Sequence, residues 1–259
     1  MVKGLYTAYT GLRNEQKRLD VIANNMANSN TTGYKKMGVT SQSFDRMLAL
    51  RVDDNSDPYL AKGIGDVSLG VKIGETYTDF SAGGFRSSGN TYDVALEGSG
   101  FFTISATDKR GVEHIRYTRD GSFTVTREGY LVTKDGDFVL GPNNQRIQIP
   151  GADTAIVSID SLGNIFANDV QVGQFQLVDF ENYEALSLYG ENCFEALPEA
   201  GMVASNALVR QGYLETSNVN VINEMVTMIA ITRAYETNQK MMQTIDSTLD
   251  KVVNEVGKV

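Results

Sequence analysis

Apolar residues recur at every seventh position near both ends of the chain. Near the N-terminus they form one helical seam: Leu5, Leu12, Leu19 and Met26. Near the C-terminus the same spacing continues for longer: Val221, Met228, Tyr235, Met242, Leu249 and Val256. A seven-residue repeat places these side chains on one helix face and favours supercoiling against a partner helix. The pattern therefore predicts one helix that ends near residue 27 and a second over residues 220–256.

Two partners are open for these helices on periodicity alone. They can pair with each other within one chain, or with the helices of other subunits. The N-terminal helix is expected to end in the segment 24–33, which is rich in Asn and closes with Gly33. Asn and Gly favour turns and left-handed backbone over a continued helix.

Between the two helices the hydrophobic period changes to two, which predicts β-strands. The clearest stretch is 117–140, where Gly121, Gly129 and Gly136 each follow an acidic residue and predict consecutive hairpins of an antiparallel meander. Further strands are predicted over Val94–Leu96, Phe101–Ile104, Ala155–Ile159, Ile165–Ala167 and Phe175–Val178.

The order of these elements predicts an α+β fold. We expect long N- and C-terminal helices that form a coiled-coil stalk, with a mainly antiparallel β-domain between them. The expected division is an N-terminal axial helix with its Asn-rich turn over 1–37, an extended connector over 38–80, a β-rich outer domain over 81–200 and a C-terminal helical region over 201–259.

Charge and composition exclude several classes of partner. The chain has 23 Lys and Arg against 32 Asp and Glu, a net charge of −9, which opposes binding to nucleic acid or anionic lipid. Its longest stretch without a charge, 21–34, has 14 residues, too few for a membrane-spanning helix. Charged residues from Arg13 to Asp20 interrupt any apolar signal sequence at the N-terminus. Cys193 is the one cysteine, so no intramolecular disulfide can form.

The sequence offers no catalytic, cofactor-binding or metal-binding residues. His114 is the one histidine, and no nucleophile or metal-ligand motif surrounds it, so we interpret it as a surface or strand residue. Cys193 lacks an activating neighbour and is interpreted as a small buried hydrophobe. Acidic pairs such as Asp53 and Asp54 are interpreted as solvated loop charges. The chain is therefore not expected to be an enzyme or to carry a cofactor.

Two long segments at opposite ends carry a family resemblance. Residues 21–35 closely resemble the N-terminal signature of the bacterial flagellar rod and hook proteins, and residues 214–240 resemble their C-terminal signature. Central residues that are similar to the family lie at 96–102, 117–121 and 190–194. The motif positions are Asn24, Asn25, Asn28, Thr32, Gly33, Tyr34, Asn218, Arg233, Tyr235 and Glu236. Within the family, length and central pattern are most like the rod proteins, and Asn218–Val221 is most like the distal rod subunit.

The resemblance implies an axial subunit of the flagellar basal body. Such a subunit crosses the inner membrane through the flagellar type III export apparatus without a cleaved signal peptide, and then stacks helically into the rod. Its partners would be further copies of itself and other rod and hook proteins, with no nucleic acid and no direct membrane insertion. The assembly interface is then expected at Leu5, Leu12, Leu19, Met26, Val221, Met228, Tyr235, Met242 and Leu249.

Three alternatives stay open at this point. Within the family, the chain could belong to the proximal part of the rod. Outside it, a surface adhesin would share helices and sheet but not depend on flagellar export. A carbohydrate-active or other enzyme would need a cleft in the β-domain lined by carboxylates with shifted pKa values.

Overall fold

The chain folds into two compact units. Unit 1 takes residues from 1–26, 37–77 and 221–259, and unit 2 takes residues 27–36 and 78–220. Each unit therefore combines segments that are distant in the sequence. The computed structural model describes residues 2–44, 47–50, 63–68, 70–107, 111–151, 155–190 and 192–256.

Two helices form where the heptad spacing predicts them. Helix α1 is Val2–Ala27, and helix α2 is Val221–Lys251 followed by a π-helical turn at Val252–Val256. Beyond α1 the chain turns, because the Thr31 amide donates to the Asn28 carbonyl oxygen at 3.2 Å. The predicted helix positions are confirmed, with only the last turn changed from α to π. Among the described residues, neither helix combines the length and hydropathy needed to cross a membrane.

The predicted coiled-coil stalk is wrong. One N-terminal and one C-terminal helix flank a many-stranded antiparallel β-domain in the sequence, and they do not form a long coiled-coil pair. Where they meet they run antiparallel. A β-carbon added at Gly4 would lie 3.4 Å from Ile245 Cδ1, and one added at Gly11 would lie 3.1 Å from Asn238 Nδ2.

Polar residues between the heptad positions explain why the long seam does not form. A coiled coil needs apolar side chains at both the first and the fourth position of each repeat. Glu15 in α1, and Glu224 and Asn238 in α2, occupy fourth positions. Glu224 and Ile231, both at fourth positions, are the buried residues among the described positions of α2.

Four strands follow α1 in the region expected to be an extended connector. They are β1 (Met37–Ser43), β2 (Met47–Leu50), β3 (Gly63–Val67) and β4 (Val71–Thr78). β1 pairs with β4, and β2 pairs antiparallel with β3. This part of unit 1 contacts α1, because Ser41 Oγ donates to Asn14 Oδ1 at 3.0 Å and the Val71 amide donates to Thr10 Oγ1 at 3.4 Å. Asp53 and Asp54 lie outside the described residues.

The rest of the chain, from residue 78 to residue 220, is rich in strands. In chain order they are β5 (Phe85–Ser87), β6 (Val94–Glu97), β7 (Phe101–Thr107), β8 (Glu113–Thr118), β9 (Phe123–Val125), β10 (Leu131–Thr133), β11 (Phe138–Gly141), β12 (Gln145–Arg146), β13 (Val157–Ile159), β14 (Asn164–Ala167), β15 (Val170–Gln174), β16 (Leu177–Phe180), β17 (Leu186–Tyr189), β18 (Cys193–Ala196), β19 (Met202–Ala204), β20 (Leu208–Gln211) and β21 (Tyr213–Glu215). Short 3-10 turns lie at Pro142–Asn144, Tyr183–Ala185 and Pro198–Ala200.

These strands form an antiparallel sheet of ten strands and several smaller ones. The large sheet has the order β17-β18-β8-β7-β11-β10-β9, with β12 paired to β11, and β16 paired to both β7 and β19. β13, β14 and β15 form a three-stranded sheet, β6 pairs with β20, and β5 pairs with β21. The antiparallel character of the domain agrees with the prediction.

The predicted meander is correct at two of its three glycines. Gly129 and Gly136, both with positive φ, lie in the β9–β10 and β10–β11 hairpins. At Gly121 the prediction is wrong, because β8 pairs with β7 and β18 instead of β9. The Gly121 carbonyl accepts from the Val94 amide at 2.9 Å, and a β-carbon at Gly121 would overlap the Val94 carbonyl oxygen. Glycine is needed there for close backbone approach, not for a hairpin turn.

Strand β7 lies between two hydrophobic cores of unit 2. Phe102 and Ile104 belong to the larger core, and Phe101 belongs to the second. The Phe102 ring packs on Phe123 at 5.1 Å between centroids, and the Phe101 ring packs on Phe194 at 5.7 Å. Successive residues of a strand point to opposite faces. Both faces of β7 are therefore buried.

Candidate functional site

The family-motif residues after α1 form a tight turn within unit 2. Thr31 Oγ1 donates to Asn28 Oδ1 at 3.1 Å, and Thr32 Oγ1 donates to Asp120 Oδ1 at 2.7 Å. Gly33 has a φ of +68°, and a β-carbon there would overlap the Asp120 amide nitrogen. Tyr34 is fully buried. The turn therefore requires glycine at position 33 for two independent reasons, backbone conformation and space.

Asn25 has a structural role in unit 1. Its side-chain amide donates to the Met37 carbonyl oxygen at 2.8 Å, and its Oδ1 accepts from the Met37 amide at 2.9 Å. The side chain is almost fully buried. Asn25 therefore pairs with one residue of β1 as a neighbouring strand would, because its side-chain amide carries a donor and an acceptor on separate atoms, as a peptide group does. Asn24, the preceding motif residue, has an exposed side chain.

Three buried charges meet in unit 2. Lys35 Nζ lies 2.7 Å from Glu215 Oε1, and Arg119 Nη1 lies 3.4 Å from Glu215 Oε2. The Gly83 amide also donates to Glu215 Oε1 at 3.0 Å. Burial lowers the pKa of Lys35 from its usual value, and the Glu215 carboxylate opposes that shift. Removing one partner of such a group leaves an uncompensated buried charge, so each charge depends on the others.

Asn218 extends this contact to a further segment. Its Oδ1 accepts from the Lys36 amide at 2.7 Å, and its Nδ2 donates to the Asp79 carbonyl at 2.8 Å. We name Lys35, Arg119, Glu215 and Asn218 the junction cluster. It ties together, within unit 2, the segment after α1, the segment after β4 and the segment before α2. These are the segments through which the chain enters and leaves unit 2.

The junction cluster is the feature that sequence reasoning missed. Lys35 and Glu215 are separated by 180 residues, so no periodic pattern connects them. A chemical signal existed for one of them, because Lys35 is the one charged residue of the signature segment 21–35. Of the four residues, the sequence singled out Asn218 as a motif position, without predicting its hydrogen bonds.

The predicted interface stripe lies on one face of each helix. Leu5, Leu12, Leu19 and Met26 of α1 are half-buried. Half-buried as well are the matching residues of α2: Val221, Met228, Tyr235, Met242 and Leu249. The fourth-position residues Asn238 and Ile245 of the same α2 face contact α1 of the same chain. The motif residues Arg233 and Glu236 are exposed elsewhere on α2.

A polar cavity of about 550 Å³ opens in unit 2 beside the Asn28–Thr31 turn. The Arg116 guanidinium stacks over the Tyr189 ring, 3.4 Å from its centroid, at one wall. Asp120, at another wall, accepts from Thr32, Ser122 and Asn192. The cavity also holds three cationic and three acidic side chains in all: Arg86, Arg116, Lys134, Asp120, Asp135 and Asp137. Opposite charges therefore offset each other in this cavity.

Cys193 and His114, the two residues weighed for reactivity in the sequence, lie in different surroundings. Burial raises the pKa of the Cys193 thiol to about 11, with the nearby Asp137 adding to the shift, so the thiol is protonated near neutral pH. Cys193 is half-buried against the larger core, which fits its interpretation as a hydrophobe. His114 is exposed on β8. Among the residues that the structure describes, no three His, Cys, Asp or Glu side chains form a metal-binding group.

Three family models match separate parts of the chain. The flagella basal body rod protein family matches residues 5–35, the flagellar hook protein FlgE/F/G D1 domain matches residues 95–167, and the flagellar basal body rod FlgEFG protein C-terminal family matches residues 210–255. The matched regions therefore include α1, much of unit 2 and α2.

Full-length relatives give the same result. The flagellar basal-body rod protein FlgG of Buchnera aphidicola subsp. Schizaphis graminum is 34% identical, over 97% of this chain and 99% of its own length. FlgG of Bacillus subtilis is 34% identical over 98% and 99%. The rod protein FlgF of Caulobacter vibrioides is 32% identical over the whole of both chains. The chain therefore belongs to the flagellar basal-body rod protein family.

Proposed function

We propose that the chain is a structural subunit of the flagellar basal-body rod, in its distal part, and that it passes torque toward the hook. The observation that carries the proposal is the match to relatives named FlgG over nearly the whole chain. We assign the polymer contacts to α1 and α2, within an N-terminal region over 1–37 and a C-terminal region over 201–259, with residues 38–80 as connector and 81–200 as the β-rich domain.

The proposed partners are further copies of the chain in a helical polymer and the other rod and hook proteins. The chain reaches the basal body through the flagellar type III export apparatus. The exposure of α2 supports a polymer, since a helix of 31 residues whose buried positions are Glu224 and Ile231 leaves most of its surface for other molecules. Isolated helices gain most of their stability from packing.

The proposed role is mechanical and not enzymatic. Asp120 is engaged by three donors, and the raised pKa of Cys193 keeps its thiol in the unreactive form. Three carboxylates line the cavity, and burial raises the pKa of one of them, Asp137. Arg86, Arg116 and Lys134 line the same cavity and offset their charge.

A proximal rod position is the second candidate. It is favoured by the FlgF relative, which matches the whole chain at 32% identity, close to the 34% of the FlgG relatives. Identity at this level does not separate the two components, so position in the basal body must do so.

A tag inserted at Asn143–Asn144 tests the proposal. Both residues have positive φ and exposed side chains in the turn between β11 and β12, so an insertion there leaves the cores intact. Electron microscopy of purified hook–basal bodies from a motile tagged strain should place the label on the distal rod. Label nearer the inner membrane would assign the proximal rod. Absence of label from the basal bodies of that strain would remove the rod assignment.

The predicted interface stripe has its own test, Met242→Asp. Burying an unpaired charge in a helix contact costs several kcal/mol. The variant should keep unit 2 folded yet fail to build rods, so that cells do not swim. Gln243→Asp is the matched control, because Gln243 is the neighbouring residue and is already polar and exposed. Normal swimming of the Met242→Asp strain would contradict the stripe as an interface.

A further inference from the structure

Helix α2 carries an exposed apolar patch outside the predicted stripe. The patch consists of Ile222, Met225, Val226 and Ile229, which are 74%, 50%, 63% and 54% exposed. Their spacing of three, four and seven residues places them on one face of the helix. No charged residue occurs from Met225 to Thr232. On the same helix the next residue, Arg233, begins a charged segment.

The patch is distinct from the stripe that contacts α1 in the same chain. Stripe residues such as Met228 and Tyr235 are half-buried, whereas the four patch residues face water in the single chain. Contiguous apolar surface on a soluble protein marks a site of interaction. We expect a helix face of this kind to bind an apolar face of similar length.

Helix α1 presents such a face. Tyr6 and Tyr9 are 58% and 47% exposed and lie three residues apart, the same separation as Val226 and Ile229. The helices also differ in charge. α1 has two more basic than acidic residues, and α2 has one more acidic than basic residue. Opposite net charge favours α1 as the partner of α2.

The α1 helix that covers the patch cannot belong to the same chain. Within one chain Gly11 meets Asn238, which places Tyr9 level with Lys240. Val226 is 14 residues away along α2, on the order of 20 Å at the rise of an α-helix. In a helical polymer whose subunit helices run along its axis, a neighbour's α1 also runs antiparallel to α2. That direction allows Tyr9 to meet Val226 while Tyr6 meets Ile229.

We propose that the patch formed by Ile222, Met225, Val226 and Ile229 binds the exposed Tyr6 and Tyr9 face of α1 from a second copy of this chain. The inference rests on the proposed function, because it assumes that copies polymerise. It adds that the contact between copies uses a face of α2 other than the predicted heptad stripe.

Disulfide cross-linking tests the contact directly. In a Cys193→Ser chain tagged at Asn143–Asn144, Tyr9→Cys is combined with Val226→Cys, and hook–basal bodies are purified and oxidised. Since Tyr9 and Val226 of one chain are too far apart, a bond between them must join two copies. The expected result is a ladder of dimers and larger species on non-reducing gels. The control pair Tyr9→Cys with Gln243→Cys, at an exposed position outside the patch, should give monomers.

The readouts separate failure of this inference from failure of the proposed function. Tagged basal bodies without a ladder from the first pair would overturn the patch contact and leave the rod assignment intact. A tagged wild-type chain absent from basal bodies would overturn the rod assignment. If the cysteine pair itself blocks assembly, Val226→Asp and Thr237→Asp replace it. Loss of swimming with Val226→Asp alone supports the contact, and equal swimming of the two strains overturns it.

Discussion

The β-rich unit 2 and helix α2 of unit 1 differ in how far they bury their large side chains. In unit 2 the aromatic residues of β7 pack on both faces, and even Lys35 and Glu215 find buried partners within the unit. In α2 the large apolar side chains Ile222 and Val226 face water. One region buries its large side chains within the single chain, whereas the other leaves large apolar side chains exposed.

The difference indicates that contacts within unit 2 determine its fold, and that the exposed surface of α2 is available for assembly. A domain that buries both faces of its central strand is specified by its own contacts. A helix with one half-buried face and one exposed apolar face is stabilised further only when another molecule covers it. Substitutions should therefore act on stability in unit 2 and on assembly in α2, and the following experiments test that separation.

The largest effect is expected from Glu215→Ala. Removing this carboxylate leaves Lys35 and Arg119 buried without their counter-charge, which should cost about 3–5 kcal/mol. Urea unfolding followed by circular dichroism measures the change. Glu195→Ala, at an exposed position on β18, is the control and should have little effect. Equal unfolding midpoints for the two variants would mean that the junction cluster does not stabilise unit 2.

Within α2, neighbouring isoleucines should respond differently. Ile231 is 3% exposed and Ile229 is 54% exposed. Ile231→Ala should destabilise the helical part of the chain by about 2–5 kcal/mol, the cost of a cavity. Ile229→Ala should leave the stability of the purified monomer nearly unchanged and lower the yield of assembled rods instead. Far-UV circular dichroism during heating distinguishes them, and an equal loss of helix in both monomers would contradict the division of roles.

Two glycines with the same backbone conformation give a smaller, matched comparison. Gly33 and Gly89 have φ values of +68° and +70°, but only a β-carbon at Gly33 meets other atoms. Gly89→Ala should cost about 1–2 kcal/mol for the left-handed conformation. Gly33→Ala should add about 1–3 kcal/mol for overpacking against Asp120. If chemical denaturation gives equal losses of unfolding free energy for the two variants, the turn after α1 moves to make room for the added β-carbon.

The smallest effect concerns reactivity and not stability. Burial holds the pKa of Cys193 at about 11, above the value of about 8.5 for a free thiol. Because the thiolate is the reactive form, iodoacetamide should modify the folded chain slowly at neutral pH and progressively faster up to about pH 11. Mass spectrometry of the folded and the urea-denatured chain measures both rates. Similar pH profiles in the two states would show that the thiol is not shielded by the fold.

Local patterns in the sequence were sufficient for the two helices and two of the hairpins, but not for the four strands after α1. The heptad spacing placed α1 and α2, and the Glu128-Gly129 and Asp135-Gly136 dipeptides placed two hairpins, because each signal lies within the element that it predicts. The hairpin predicted at Gly121 was wrong, because an acidic residue followed by glycine is also compatible with a close approach of two backbone segments. The coiled-coil prediction was wrong for a related reason. Seven-residue spacing describes one set of positions on one helix. It gives no information on polar residues, such as Asn238, at the fourth positions that would face a partner helix.

The candidate site was predictable only in part. Asn25, Gly33 and Asn218 were singled out by family resemblance, but their contacts with Met37, Asp120 and Lys36 depend on how distant segments meet. The exposed patch on α2 was also missed, because heptad spacing predicts residues that become buried, whereas the patch residues are exposed. Exposure of Ile222 and Val226 is a property of the folded chain and has no signature in spacing.

Strand β7 has a consequence for how unit 2 comes apart. Phe101 and Phe102 are covalent neighbours, yet each anchors a different core. Pulling β7 out of the sheet would open both cores in the same event, so this strand couples their loss. Unit 2 is therefore expected to hold its shape under rising load until β7 is released. A rod subunit of the kind we propose would then not soften one piece at a time.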